Sequence, residues 1–320
     1  MKLPVRNSEP KMALRQDPNL KRSARLQHFK TYAWLYIFII PTLLYFLIFC
    51  YVPMGGIIMA FKRYTGAKSI WASKWVGLKW FKSFFNSFYA TTTIKNTLVL
   101  SFYSLATFPL PIIFALMINE VNNQRYKQVI QTVMYAPHFI STVVLVSMLN
   151  IFFANSGLVN RLLVSIGLEN VDFLTSSVSF PHLYTWSTVW QNLGWNCIIY
   201  VAALSGVDPA LHEAAILDGA SRLQRIWHIN LPSILPTIVI TLIMRVGNIM
   251  ATNTDKVLLM LNDLNSDSAE VIGTFVYDRG LLSGDYSYAT AVGLFTNVVN
   301  LILLLTVNKI SEKVTETSLF

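Results

Sequence analysis

The sequence predicts an all-α integral membrane fold, a bundle of six transmembrane helices with a two-helix cytoplasmic loop, on three observations. Hydrophobic residues make up 54% of the 320 and charged residues only 13%, about half the charged share of a soluble domain. Such a chain cannot cover its apolar surface with polar residues, so part of its solvent is lipid. Six windows of about 20 residues or more carry no charge, each long enough as a helix to cross a hydrocarbon core of roughly 30 Å. Backbone polar groups in lipid must be satisfied within the segment, and runs of this length are not the short alternating strands of a barrel.

Residues 1–32 form a basic arm, with Lys2, Arg6, Lys11, Arg15, Lys21, Arg22, Arg25 and Lys30 ahead of the first apolar run. A basic cluster before a span holds an N-terminus in the cytoplasm. The net charge of +9 is therefore read as an orientation signal and not as a nucleic-acid footprint. The first span is placed near 33–60; its charge-free run, Thr31–Phe61, is too long for a signal-peptide core. Further spans are placed near 97–118, 130–153, 182–204, 234–255 and 287–307. Residues 33–308 then form the transmembrane domain, with 119–129, 205–233 and the tail 309–320 in the cytoplasm. The outer segment 62–96 opposes the positive-inside pattern with seven basic residues. Trp71, Trp75, Trp80, Phe81, Phe84, Phe85 and Phe88 alternate there with Lys74, Lys79 and Lys82, predicting an amphipathic stretch along the membrane surface. Segment 154–181 reads as a loop, and 256–286, with Asp263, Asp267, Glu270, Asp278 and Asp285, as a solvated acidic surface.

The loop 208–232 carries the strongest local signal. Asp208 is placed to cap a short helix and Pro209 fits its first turn. Gly219 supplies a permissive turn, Ser221 or a neighbour opens a second helix, and Leu231-Pro232 is expected to stop it. Glu213-Ala214-Ala215, three residues, Gly219, nine residues, Ile229, one residue and Leu231-Pro232 resemble the EAA loop of ABC importer permeases. The resemblance extends over roughly 30–310. Gly194-Trp195, Ala202-Ala203-Leu204-Ser205-Gly206, Asp218-Gly219-Ala220-Ser221, Val271-Ile272-Gly273-Thr274-Phe275-Val276-Tyr277 and the run from Tyr286 to Phe295 look like the carbohydrate uptake class, in the branch that imports aldouronates and other complex oligosaccharides. Ile226 stands where sugar permeases often carry Phe.

The resemblance implies a permease subunit that translocates an oligosaccharide delivered by an extracellular solute-binding protein. It pairs with a second, homologous permease and couples to an ATPase dimer through Glu213, Ala214, Ala215, Asp218, Gly219, Ile229, Leu231 and Pro232. It implies a bacterial plasma membrane location with both termini cytoplasmic. No Gly-x-x-x-x-Gly-Lys-Ser/Thr loop occurs, so the chain lacks the phosphate cradle of P-loop ATPases. It is read as no enzyme, with no cofactor of its own, and ATP and magnesium are expected on the partner ATPase. His28, His138, His182, His212 and His228 show no ligand spacing, which implies no metal. Cys50 and Cys197 read as small hydrophobes within apolar runs. The alternatives are a peptide or amino-acid ABC importer permease and, with Arg245 as its single intramembrane charge, a secondary transporter.

A sugar path needs amides and hydroxyls for hydrogen bonds and aromatic faces for the apolar side of the ring. Trp186, Trp190, Gln191, Asn192, Trp195 and Asn196 on the fourth span are candidates. Arg245, Asn248, Asn253, Asn297 and Asn300 are candidates on the fifth and sixth.

Overall fold

The computed structural model describes residues 32–315 and 317–319, so the basic cluster that orients the N-terminus lies outside the described residues. The chain divides into two compact units after Ile57. The described part of the first belongs to helix α1 (Ala33–Phe61), which is apolar all round and has no buried residue in its most apolar window, the pattern of a membrane span. A π-turn, Leu47–Tyr51, sits directly before Pro53: the Val52 N–H reaches back five residues to the Leu47 carbonyl. A proline has no N–H to continue the regular ladder, and the wider turn absorbs the interruption.

The second unit begins with a two-stranded hairpin, β1 (Lys62–Arg63) and β2 (Lys74–Trp75), with Lys62 opposite Trp75. The Lys62 ammonium closes its turn by donating to the carbonyls of Ile70 at 3.2 Å and Trp71 at 2.9 Å. Helix α2 (Lys79–Phe85) follows. Its Phe84 is buried among the rings of Phe275, Tyr288 and Phe295. The segment 62–96 is therefore not one surface-lying stretch but a hairpin and a helix anchored on other elements.

The second span begins at Phe88, earlier than the charge-based placement. Helices α3 (Phe88–Ala106) and α4 (Pro109–Asn119) form one 32-residue span. Lys95, which bounds the charge-free window, lies on an exposed helix face while Thr93, Asn96 and Thr97 are buried. The third predicted span, 130–153, is broken. Helix α5 (Gln124–Tyr135), with a 3₁₀ turn over Ala136–Phe139, meets helix α6 (Thr142–Phe152) at 96°. Pro137 withdraws a donor from the first half, and Ser141 caps the second by accepting from the Val144 N–H at 3.3 Å.

Helix α7 (Leu158–Ser165) lies in the segment predicted as an outer loop, and helix α8 (Ser179–Ser205) covers the fourth predicted span. Helix α9 (Pro209–Leu217) is the first half of the loop 208–232. The second half is not stopped at Leu231-Pro232. It continues into the fifth span as one helix, α10 (Arg222–Gly247), through a π-turn at Ile226–Asn230. Here too a proline follows, and the Leu231 N–H donates to the Ile226 carbonyl five residues back. Helix α10 ends at Gly247 instead of near 255. Gly247 packs against Leu304, with no room for a Cβ. The Asn300 amide oxygen accepts from the Met250 N–H at 3.0 Å, replacing a helical partner. Short helices α11 (Thr254–Met260), α12 (Ser266–Ala269) and α13 (Ile272–Tyr277) lead to helix α14 (Tyr286–Thr315).

Helix α1, the α3–α4 pair, α10 and α14 are long and apolar enough to cross a membrane, and the bent α5–α6 pair makes a fifth. Helix α8 has 27 residues, about 40 Å at 1.5 Å per residue, but is too polar to join that set. Among the described residues the apolar count is thus four to five against the six predicted. Three buried clusters hold the second unit together. One gathers Leu100, Val146, Leu149, Phe180, Tyr184 and Val257. A second gathers Ile112, Ala115, Leu116, Cys197, Tyr200 and Ile234. A third gathers Phe84, Met250, Ile272, Phe275 and Val292.

Candidate functional site

Helices α3–α4 and α8 each read apolar, polar, apolar along their length. On the first, Leu100 belongs to one core and Ile112 and Ala115 to another; Ser101, Ser104 and Thr107 lie between. On α8, Tyr184 and Cys197 mark the two cores, with Thr185, Thr188, Asn192 and Asn196 between them. The intervening layer opens into a cavity of about 420 Å³, completed by Arg245 and Asn248 of α10 and by Thr252. That is the size of a small-ligand site.

The cavity is built from hydroxyls and amides. Ser101 bonds its hydroxyl to the Ile249 carbonyl, tying α3 to the end of α10. Arg245 donates from Nε to Ser104 Oγ at 3.1 Å and from Nη2 to the Ser104 carbonyl at 3.0 Å, so both partners are neutral. Asn192 donates to the Thr188 carbonyl at 3.1 Å, and its amide oxygen lies 3.0 Å from His138 Nδ1. The hydroxyls of Thr185, which is 5% exposed, and of Thr252 are buried without a hydrogen-bond partner.

Lys256, on α11 just behind α8, is 1% exposed. Its ammonium donates to Thr188 Oγ1 at 2.7 Å, Ser187 Oγ at 2.9 Å and the Tyr184 carbonyl at 3.1 Å. All three acceptors are neutral, and burial alone pushes the ammonium pKa down to about 7.

The structure sorts the predicted path residues into groups. Asn192, Asn196, Arg245 and Asn248 line the cavity. Trp186 and Trp190 line a separate apolar groove between α6 and α8. Gln191 donates at 2.7 Å to the Ile140 carbonyl, at the break between α5 and α6. Trp195 stacks on His138 of the same break, with centroids 4.3 Å apart. These two residues fasten the bend to α8. Gly194 allows the contact, since a Cβ there would collide with the Met134 carbonyl. Asn297 is exposed on α14 and outside the cavity, Asn300 holds Met250 as described, and Asn253 caps α11 by accepting from the Lys256 N–H at 3.1 Å. Sequence reasoning missed Ser101, Ser104, Thr107, Thr185, Thr188 and Lys256. A signal existed for all but the lysine: hydroxyls recur three residues apart on α3 and α8, placing them on one helix face.

The predicted coupling residues occupy the other notable surface. Asp208 caps α9 by accepting from the Ala210 N–H at 2.9 Å. Gly219 sits at φ +79° with open space around its Cα, so its backbone and not its packing requires glycine. Ser221 and Gln224 form a reciprocal capping box. Glu213, Ala214 and Asp218 are exposed, Ala215 and Ile229 half-buried, and Leu231 and Pro232 lie within α10. Around them Leu211, Ile216, Leu217, Leu223 and Trp227 are exposed, Leu217 to 89%. This is a patch that soluble surfaces seldom present without a partner.

The family described as "Binding-protein-dependent transport system inner membrane component" matches residues 107–316. Protein LplB of Bacillus subtilis (strain 168) is 43% identical over 289 residues, covering 90% of this chain and 91% of that one. The polygalacturonan/rhamnogalacturonan transport system permease protein YteP of the same organism is also 43% identical, covering 90% of each chain. Among solved structures, a chain of a bacterial ABC transporter involved in the import of the acidic polysaccharide alginate superposes with a TM-score of 0.84. It is 40% identical, with 91% of this chain and 99% of that one covered. A chain of the bacterial alginate ABC transporter in complex with an alginate pentasaccharide-bound periplasmic protein gives 0.85 at the same identity, over 92% and 99%.

Proposed function

Since this chain belongs to the family of binding-protein-dependent transport system inner membrane components, we propose that its cavity is the passage for an oligosaccharide. The chain is a permease subunit of an ABC importer and a multi-pass membrane protein. The observation that carries the substrate reading is the cavity wall of hydroxyls and amides, set between two apolar layers. Such a wall offers a sugar the hydrogen bonds it loses on leaving water. The names of the relatives and of the alginate importer point the same way.

In this reading α8 is the sixth span, polar because it faces the passage, and both termini lie in the cytoplasm of a bacterial cell. A second permease completes the path, and an extracellular binding protein delivers the sugar. An ATPase pair that binds ATP and magnesium docks on the apolar patch of α9 and the start of α10. Closure of the ATPases on ATP biases the bundle toward one of two access states. Loaded binding protein must favour that same state for transport to be coupled.

The test is reconstitution in liposomes. The isolated chain hydrolyses no ATP. Together with its partner permease, ATPase and binding protein it shows oligosaccharide-stimulated hydrolysis and uptake that persists with an uncoupler. Hydrolysis by the isolated chain, uptake driven by an ion gradient, or stimulation by peptides and not by saccharides would overturn the reading.

A further inference from the structure

Away from the cavity, Thr91, Ile94, Lys95, Leu98 and Phe102 recur at helical spacing on one face of α3. They line a groove of about 570 Å³. Phe85 of α2 lines it too, and its ring is held by an edge contact with Phe295 of α14, centroids 5.1 Å apart. The eleven steps from Thr91 to Phe102 span about 17 Å at 1.5 Å per residue. One leaflet of a hydrocarbon core of roughly 30 Å has nearly that depth. Ser101 and Ser104, which line the cavity, point about half a turn away from this face, so groove and cavity lie on different sides of one helix.

Lys95 is exposed, and it is the one charged residue that lines the groove. Its ammonium has no partner among the described residues. Lys82 is exposed on α2 three residues before Phe85, hence on the same helix face. No aspartate or glutamate occurs between Lys62 and Asn119. The acidic segment meets α3 on its buried side, where Asn96 donates to the carbonyls of Asp267 and Glu270 at 2.9 Å.

A lysine on the exposed face of a span is costly unless its ammonium reaches the phosphate level along its apolar stem. A protein helix laid in the groove would have to bring a carboxylate to Lys95 or bury the charge unpaired. A ligand with an anionic head and an acyl chain meets both demands: the cation takes the head, and Ile94, Leu98 and Phe102 take the chain. Basic pockets beside spans hold anionic headgroups on this principle.

We infer that the groove is a binding site for an anionic phospholipid, with Lys95 and Lys82 on the phosphate and one acyl chain along Ile94, Leu98 and Phe102. The site depends on the α3–α4 span crossing the membrane and not on what the cavity carries.

The experiment uses the complete transporter, this chain with its partner permease, ATPase and binding protein, in phosphatidylcholine nanodiscs. The probe is a trace of phosphatidylglycerol with a photoreactive diazirine in its acyl chain, and the control is phosphatidylcholine with the same chain. After illumination the adducts are mapped by peptide mass spectrometry, and ATP hydrolysis reports assembly of each variant. Adducts are expected within 91–102, and the control lipid should label this stretch about five-fold less. Excess unlabelled phosphatidylglycerol should compete, and excess phosphatidylcholine should not. Lys95→Gln should lower the labelling about five-fold, Lys82→Gln by less, and Lys95→Arg should stay within two-fold of the wild type. Equal labelling by the two lipids would make the groove ordinary lipid-facing surface and overturn the inference. Unchanged labelling in Lys95→Gln, or loss of assembly in that variant, would also overturn it. Adducts on the partner permease with none on 91–102 would mean that protein covers this face, and the inference would fail.

Discussion

In the cavity layer polar groups are buried, and in the coupling loop apolar groups are exposed. Lys256 is 1% exposed within one, and Leu217 is 89% exposed on the other. Each region inverts the ordinary partition of residues, and such inversions carry more information than burial of the expected kind. They differ in what completes them. The cavity groups already hold one another: Arg245 on Ser104, Asn192 on His138, Lys256 on Thr188. A ligand would add the last bonds to a formed site. The loop shapes its own backbone through caps and one left-handed glycine, and only its far end, at Ile226 and Leu231, packs onto a core. The side chains of Leu211, Ile216, Leu217 and Leu223 stay exposed.

The sharpest way to break this contrast is Gly219→Pro. Gly219 lies at φ +79° and its N–H donates to the Ile216 carbonyl at 3.0 Å. Proline forbids both, since its φ is fixed near −65° and it has no N–H. Ligand-stimulated ATP hydrolysis and co-purification with the ATPase should fall at least about ten-fold, because the change displaces all of α9. Insertion in the membrane should be unchanged. Full stimulation in this variant would make the loop a plain connector.

Within the cavity the expected effects are smaller and divide by partner. Asn192→Leu removes the oxygen facing His138, so it should cost about 1–3 kcal/mol of stability as well as weaken uptake. Asn196 lines the same cavity one helical turn on and is exposed. Asn196→Leu should weaken uptake with stability changed by less than about 0.5 kcal/mol. Thermal unfolding in detergent set beside uptake kinetics separates the two; identical behaviour of the pair would remove the distinction between a structural and a purely lining amide.

The smallest effect is expected for Glu213→Ala, an exposed charge on α9. ATPase association should weaken by about two- to five-fold, most visibly at low salt. An effect as large as that of Gly219→Pro would mean that one charge, and not the placed apolar surface, governs docking.

The two regions were also unequally legible in the sequence. The loop is local: cap, proline, glycine and second cap fall within about one contiguous stretch, and each specifies backbone geometry on its own. The cavity is assembled from α3, α8, α10 and α11, residues far apart in the chain. Asn192 and Asn297 read alike as amides in apolar runs, yet one lines the cavity and the other is exposed on α14. Lys256 falls directly after the predicted fifth span, 234–255, and is read with the loop 256–286. Its burial depends on the turn at 248–253 that brings α11 back against α8, and charge counting does not see that turn. The helix ends differ from the ends predicted from charge for a related reason, because Lys95 sits on a helix and Pro137 within an apolar run.

Helix α10 carries part of the exposed apolar patch at its start and the cavity-lining Arg245 near its end, so the two lie on one rod. The 23 steps from Arg222 to Arg245 span about 34 Å at 1.5 Å per residue, and a tilt imposed at one end is delivered at the other as a displacement of ångströms. The π-turn ahead of Pro232 sets the angular phase between them. A turn of this kind holds one residue more than an α-turn, and closing it would swing Arg245 by roughly 100° about the axis, out of the cavity and toward a neighbouring face. A single backbone bond, from the Leu231 N–H to the Ile226 carbonyl, thus fixes the rotation of the cavity-lining Arg245 relative to the exposed apolar patch of the loop. Neither can be retuned without re-timing the other.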